Sequence, residues 1–216
     1  GDGVRARYKN HMGFFAQRDR LYSSQFKERL GVHHSGHVYE GFYDQADGGD
    51  DVDRVLYVDF NAILPDSYQV KMDVASMSNA LEVRAPFLDY RLIEFAAKIP
   101  TAYKMRGGHS KYILKKIAEK YIPHENIYRK KQGFDVPVGS WFRKELKPYI
   151  YSIILSDSAK KRGYFDYSYV QHIIDEHLAG NGYHDRRLWA LLWFELWQRM
   201  FIDKELKPSD SLKDMN

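Results

Sequence analysis

Apolar residues recur along this chain at close to helical spacing, about 3.6 residues per turn, and proline or glycine closes each recurrence. Val52, Leu56, Phe60 and Ile63 form one stripe before Pro65, which disfavours helical geometry in the residue before it, so a helix is expected to end there. Val70, Val74, Met77 and Leu81 form a second stripe, and Pro86 forces an extended chain around Ala85. Asp89 is placed to cap a third helix that buries Leu92, Ile93, Ala96 and Ile99 before Pro100. Gly107-Gly108 opens a loop, and Ser110 is expected to cap a helix with Tyr112, Ile113, Ile117 and Tyr121 on its apolar face, ended by Pro123. The positions from Trp141 to Ile154 predict one or two helices, and Val170, Ile173, Ile174 and Leu178 another that stops at Gly180. In the last helix Trp189, Trp193 and Trp197 stand beside Leu188, Leu192 and Leu196, a combination expected to be buried nearly all round. The expected fold is mainly α, and Val55-Leu56-Tyr57-Val58 is the one run compatible with a strand.

Two hundred and sixteen residues suffice for a real core, and 44% hydrophobic with 29% charged residues is a globular composition. There is no cysteine, which excludes disulfide scaffolds, thiolate zinc sites, iron–sulfur clusters and cysteine nucleophiles. Chemistry must therefore use oxygen and nitrogen side chains. The longest apolar run, Leu188 to Phe194, is too short for a bilayer, and Gly1 to Arg5 has no signal-peptide core, so a cytoplasmic location without a membrane partner is expected. Helical segments mixing Tyr8, Phe14, Phe15 and Phe26 lead to a stop at Gly31, and residues 31–51 read as a surface connection. The expected organisation is a lead-in over 1–50, a helical domain over 51–206 and a flexible tail over 207–216.

Several clusters carry bland readings. His33, His34 and His37 lack a carboxylate to complete a metal site, His172, Glu176 and His177 read as a solvated helix face, and Asp47 to Asp53 reads as a turn. From Tyr103 to Lys131, nine Lys or Arg oppose Glu119 and Glu125, a local +7 that admits a rival reading as a nucleic-acid-binding module. No recognition-helix or stacking motif accompanies it, and a nucleic-acid partner is not expected. A third reading is a structural domain packed on a partner through an exposed face.

Glu82 and Arg84 stand among apolar residues at a helix-to-extended junction, where spacing alone favours a structural ion pair. The run Leu-Glu-Val-Arg-Ala-Pro-Phe-Leu-Asp over 81–89 resembles the hallmark of the synthetase domain of glutamine-hydrolysing asparagine synthetases. Arg129-Lys130-Lys131-Gln132-Gly133-Phe134 resembles that family's downstream lysine loop, and the likeness extends over roughly residues 50 to 145. Val74 departs from it, because many members carry arginine after the aspartate matching Asp73.

The resemblance implies the helical half of an adenine-nucleotide alpha-hydrolase-like (PP-loop) synthetase domain. The Ser-Gly-Gly-x-Asp-Ser pyrophosphate loop, its parallel sheet and the cysteine-dependent glutaminase domain are not in this sequence, and are expected in cis in a longer protein. It further implies an acyl-adenylate route from aspartate, or a related carboxylate, to the amide, with ATP, magnesium and ammonia from glutamine as partners of that longer protein. Glu82 matches the residue that takes a proton from the attacking amine, and Lys131 the one that stabilises phosphate charge during adenylation. Arg84 would hold Glu82 ionised, Arg129 and Lys130 would raise the local potential, and Asp73 and Lys111 are divided between pocket contacts and structural roles. No metal ligand is expected in this fragment, which alone is expected to be inactive; a homodimer is compatible with the sequence.

Overall fold

The computed structural model describes residues 18–31, 36–130, 133, 136–207 and 209–212. Expectations for Tyr8, Phe14, Phe15, His33, His34, Lys131, Gln132, Phe134 and the last tail residues lie outside the described residues. Two compact units divide the chain: residues 36–130 and 133 form the first, and residues 18–31 with the described residues from 136 onward form the second. In chain order, α1 (Arg18–Leu21) and α2 (Ser24–Leu30) belong to the second unit. The first unit follows with α3 (His37–Gln45), α4 (Asp51–Val58), α5 (Val70–Met77), α6 (Tyr90–Lys98), α7 (Thr101–Lys104), α8 (Tyr112–Ala118) and α9 (His124–Tyr128). The second resumes with α10 (Val138–Arg143), α11 (Lys147–Tyr149), α12 (Asp157–Lys161), α13 (Tyr167–Leu178) and α14 (Asp185–Trp197). The mainly helical expectation therefore holds, and the Val55–Val58 run is helical within α4. None of the helices among the described residues is long and apolar enough to cross a membrane.

In the first unit the Asp50 side chain caps α4 by accepting from the backbone N–H groups of Val52 and Asp53 at 2.9 and 3.0 Å. The surface connection expected over 31–51 instead contains α3, whose Tyr43 is buried against Val58 and donates to Asp51 Oδ1 at 3.0 Å. A β-carbon on Gly48 would fall 2.7 Å from Asp53 Cβ, so this turn needs glycine to reach the cap. Pro65 does not end the helix. It sits inside a π-helical stretch, Asp59–Gln69, that joins α4 to α5, with Val70 N–H donating to Pro65 C=O. The wider turn removes the clash a proline ring makes with the i−4 carbonyl of an α-helix. The apolar stripes are helical in period but not buried: Val70, Val74, Met77 and Leu81 are each more than half exposed, and Leu92 and Ala96 of α6 are exposed as well. Periodicity marks the apolar face; whether anything covers it is a tertiary matter.

Gly107 and Gly108, both at positive φ, close a two-residue hairpin between β1 (Met105–Arg106) and β2 (His109–Ser110), the sheet formed among the described residues. Ser110 is thereby committed to a strand, and Lys111, not Ser110, occupies the N-cap of α8 with no side-chain cap bond. That helix stops at Ala118, well before Pro123, which instead precedes α9.

The second unit holds the larger core, in which Phe142, Ile150, Ile173, Ile174, Leu188 and Leu192 are fully buried. Along α14 the leucines at 188, 191, 192 and 196 face that core, whereas Trp193 and Trp197 are 53% and 48% exposed, contrary to the expectation of burial all round. The leucines already complete the inward stripe at three- and four-residue spacing, which leaves Trp193 edge-on to Trp189 and Trp197 beside Phe201 on the outer side. Glu195 is buried on the same helix and is paired with Arg162 at 2.8 Å and Arg199 at 3.0 Å, the compensation a buried carboxylate requires. Arg162 also binds Asp203, which leaves its guanidinium more firmly protonated than usual.

His177 is likewise buried and not part of a solvated face, although His172 near it is exposed and Glu176 half-buried. Its Nε2 lies 3.0 Å from Gly139 C=O, and its Nδ1 faces His184 N–H at 3.4 Å. One nitrogen thus donates and the other accepts, as in neutral imidazole. Burial depresses the His177 pKa, the Gly139 carbonyl partly offsets this, and Arg143 and His184 lower it further against Asp185. A depressed folded pKa means that the unfolded chain binds the proton more readily. Stability of this unit is therefore expected to hold above about pH 6.5 and fall as pH drops from there through the folded value. Urea titrations across that range check it, and His177→Gln is expected to flatten the dependence.

Candidate functional site

The segment that carries Glu82 is shaped by how α5 ends. Leu81 N–H donates to Ser76 C=O and Ala80 N–H to Met77 C=O, a Schellman closure with Ala80 at φ 54°, a left-handed conformation usually given to glycine. The chain then runs extended to the 3₁₀ turn Pro86–Leu88, and Asp89 starts α6 by accepting from Arg91 N–H at 2.9 Å. That cap is as expected from the sequence. The Arg91 guanidinium beside Asp89, together with the cap bond, holds its carboxyl below the usual carboxylate range.

Within the extended stretch Arg84 Nε donates to Glu82 Oε1 at 2.6 Å. The pair forms as its spacing suggests, but it is not buried: the Arg84 side chain is 89% exposed and that of Glu82 68%. Leu81, Val83 and Phe87 around it are also exposed. This places an ionisable carboxylate, held by its own guanidinium, on an apolar surface. A carboxylate so placed is open to accept a proton from a bound amine.

The other expected residues lie elsewhere in the same unit. Asp73 is exposed on α5, Lys111 is exposed at φ 60°, and Arg129 and Lys130 are exposed just after α9. Among the described residues, neither a hydrogen bond nor an ion pair joins any of them to Glu82 or Arg84, and Lys131 lies outside the described residues.

Two clusters escaped the sequence reading. Glu119 Oε1 accepts from Lys116 Nζ at 2.9 Å and from Tyr128 OH at 2.6 Å, which ties α8 to α9 and so fixes the start of the basic loop. Tyr128 OH first, and Lys116 second, hold the Glu119 carboxyl below its ordinary range, while Glu119 raises both the phenol and the ammonium. Lys116 and Glu119 at three-residue spacing on a helix were the available signal. Lys104, the second case, bonds Asp53 at 2.6 Å and Ala97 C=O at 3.1 Å, tying α7 to α4. Fifty-one residues separate Lys104 from Asp53, so spacing carries no hint of it.

A family model described as Asparagine synthase matches residues 3–199. The chain is similar to Asparagine synthetase [glutamine-hydrolyzing] 1 of Bacillus subtilis, at 29% identity over 88% of this chain and 31% of that protein. It is 42% identical to Asparagine synthetase [glutamine-hydrolyzing] 3 of the same organism over 64 residues, 30% of this chain and 10% of that protein. Amidase chyE of Penicillium rubens is 24% identical over 48% of this chain and 16% of that protein. The chain thus spans about a third of the length of the first of these relatives. No solved structure matches it at a significant level.

Because Ala80 holds the left-handed position that delivers Glu82, Ala80→Gly is expected to stabilise the first unit by about 1 kcal/mol. Denaturant titration checks the gain, and the Glu82–Arg84 segment should keep its backbone chemical shifts.

Proposed function

The chain belongs to the asparagine synthase family, and from that premise we propose that it is the helical part of an ATP-dependent, amide-forming synthetase of the PP-loop fold. Aspartate, or a related carboxylate, is the proposed acceptor. Its carboxylate oxygen attacks the α-phosphorus of ATP and expels pyrophosphate; ammonia then attacks the acyl carbon of the adenylate, and the carbon–oxygen bond to AMP breaks. The proton lost by the attacking nitrogen goes to Glu82. The observation that carries this reading is the Glu82–Arg84 pair, an exposed carboxylate bonded to a guanidinium at 2.6 Å.

Lys131 is the proposed partner of the phosphate charge that builds during adenylation; it follows closely on α9, which the Glu119–Tyr128 bond holds to the end of α8. Arg129 and Lys130 add positive potential beside it, and Asp73 and Lys111 are secondary contacts in this proposal. ATP would be held chiefly by a segment in cis carrying the pyrophosphate loop, and ammonia would come from a glutaminase domain of the same polypeptide. Magnesium belongs with that nucleotide. Among the described residues there is no group of three His, Cys, Asp or Glu placed together to hold a metal ion.

The test uses the full-length enzyme that contains this chain. Glu82→Gln is expected to keep aspartate-dependent ATP–pyrophosphate exchange while amide formation falls by roughly 10²- to 10⁴-fold. Lys131→Ala is expected to lose the exchange itself. Wild-type amide formation in both variants would remove these residues from the site.

A further inference from the structure

Within the second unit, five aromatic rings, those of Tyr22, Phe26, Tyr164, Phe165 and Phe194, wall an apolar pocket of about 140 Å³. Most of the ring contacts are edge to face: Tyr22 and Phe26 have centroids 5.1 Å apart at 87°, Phe26 and Tyr164 5.1 Å at 78°, and Phe165 and Phe194 5.5 Å at 74°, while Tyr22 and Phe165 are tilted at 30°. A further ring entering the space would find the same favourable geometry. The volume suits one: an apolar cavity of about 150 Å³ takes up benzene.

One wall is a single face of α14, where Arg187, Ala190, Leu191 and Phe194 follow at three- and four-residue spacing. Ala190 keeps the space open, because its methyl stands where the neighbouring positions carry long side chains. Arg187 is the charged group among the described lining residues. Its Nη1 lies 2.9 Å from His184 Nδ1, and since a guanidinium only donates, that nitrogen must accept. His184 then carries its proton on Nε2, which donates to Glu176 Oε2 at 2.7 Å. The chain Glu176–His184–Arg187 thus fixes the guanidinium beside the pocket while using one of its donors. Arg162 and Arg199 of the same unit are neutralised by carboxylates, but among the described residues Arg187 has no carboxylate partner.

We propose that this pocket binds a small aromatic carboxylate, with its ring among the five aromatic side chains and its carboxylate on the free donors of Arg187. The pairing joins an apolar body to a planar cation that recognises carboxylates through a matched fork of N–H groups. The inference concerns the second unit alone and does not depend on the amide-forming reading.

The probe is benzoate, with benzamide as its neutral counterpart of nearly equal shape, titrated into the intact chain and followed by NMR. Benzoate is expected to bind saturably, to shift the methyl signals of Ala190 and Leu191, and to bind about tenfold more tightly than benzamide. Arg187→Met is expected to erase that preference while leaving benzamide binding intact. Ala190→Phe, with wild-type circular dichroism, is expected to abolish binding of both. The wild-type shift map decides the location whether or not Ala190→Phe folds. Absence of saturable benzoate binding, shifts confined to other residues, or an undiminished benzoate preference in Arg187→Met would each overturn the proposal.

Discussion

The unbroken helical passage from Asp51 to Met77 is what the first unit depends on. Proline at 65 would end an ordinary α-helix, because its ring meets the carbonyl four residues back and it has no N–H to donate. Here the backbone widens to π geometry from Asp59 to Gln69 and continues into α5. Everything downstream inherits that direction: the Schellman closure at Ala80, the extended segment with Glu82 and Arg84, and the Asp89 cap that turns the chain into α6. Lys104 then bonds Asp53, so the end of α7 is held to the helix from which the passage began.

The second unit is organised differently, around polar groups that the core must satisfy. Glu195 lies among leucines and is stable there only because Arg162 and Arg199 both reach it. His177 is buried as the neutral ring, with Gly139 C=O and His184 N–H using its two nitrogens. These bonds join α10, α12, α13 and α14, and they specify a register that leucine and isoleucine packing alone leaves loose.

Much of the candidate site was legible because its residues are local. Glu82 and Arg84 are two positions apart in an extended run, so their pairing needs only the strand-like spacing of the chain. Asp89 caps α6 through a bond to a residue two positions on, again a local event. His177 departs from its sequence expectation for the opposite reason. His172, Glu176 and His177 share one helix, but whether that face is wet depends on α10, which brings Gly139 to it from 38 residues away. The tryptophans of α14 show the same limit, since hydrophobicity does not say which of two apolar faces is covered.

What the amino-acid order determined by itself is the helical period, the glycine-dependent turns at Gly48 and Gly107-Gly108, the caps at Asp50 and Asp89, and the Glu82–Arg84 pair. Each is set within a few residues, where backbone sterics and short hydrogen bonds dominate. Only the tertiary structure decided that Pro65 would be carried through a π turn, that Leu188 and not Trp193 would be buried, and that Arg187 would stand beside an aromatic pocket. Those outcomes rest on contacts between residues far apart in the chain, where the free energy of packing outweighs local preference.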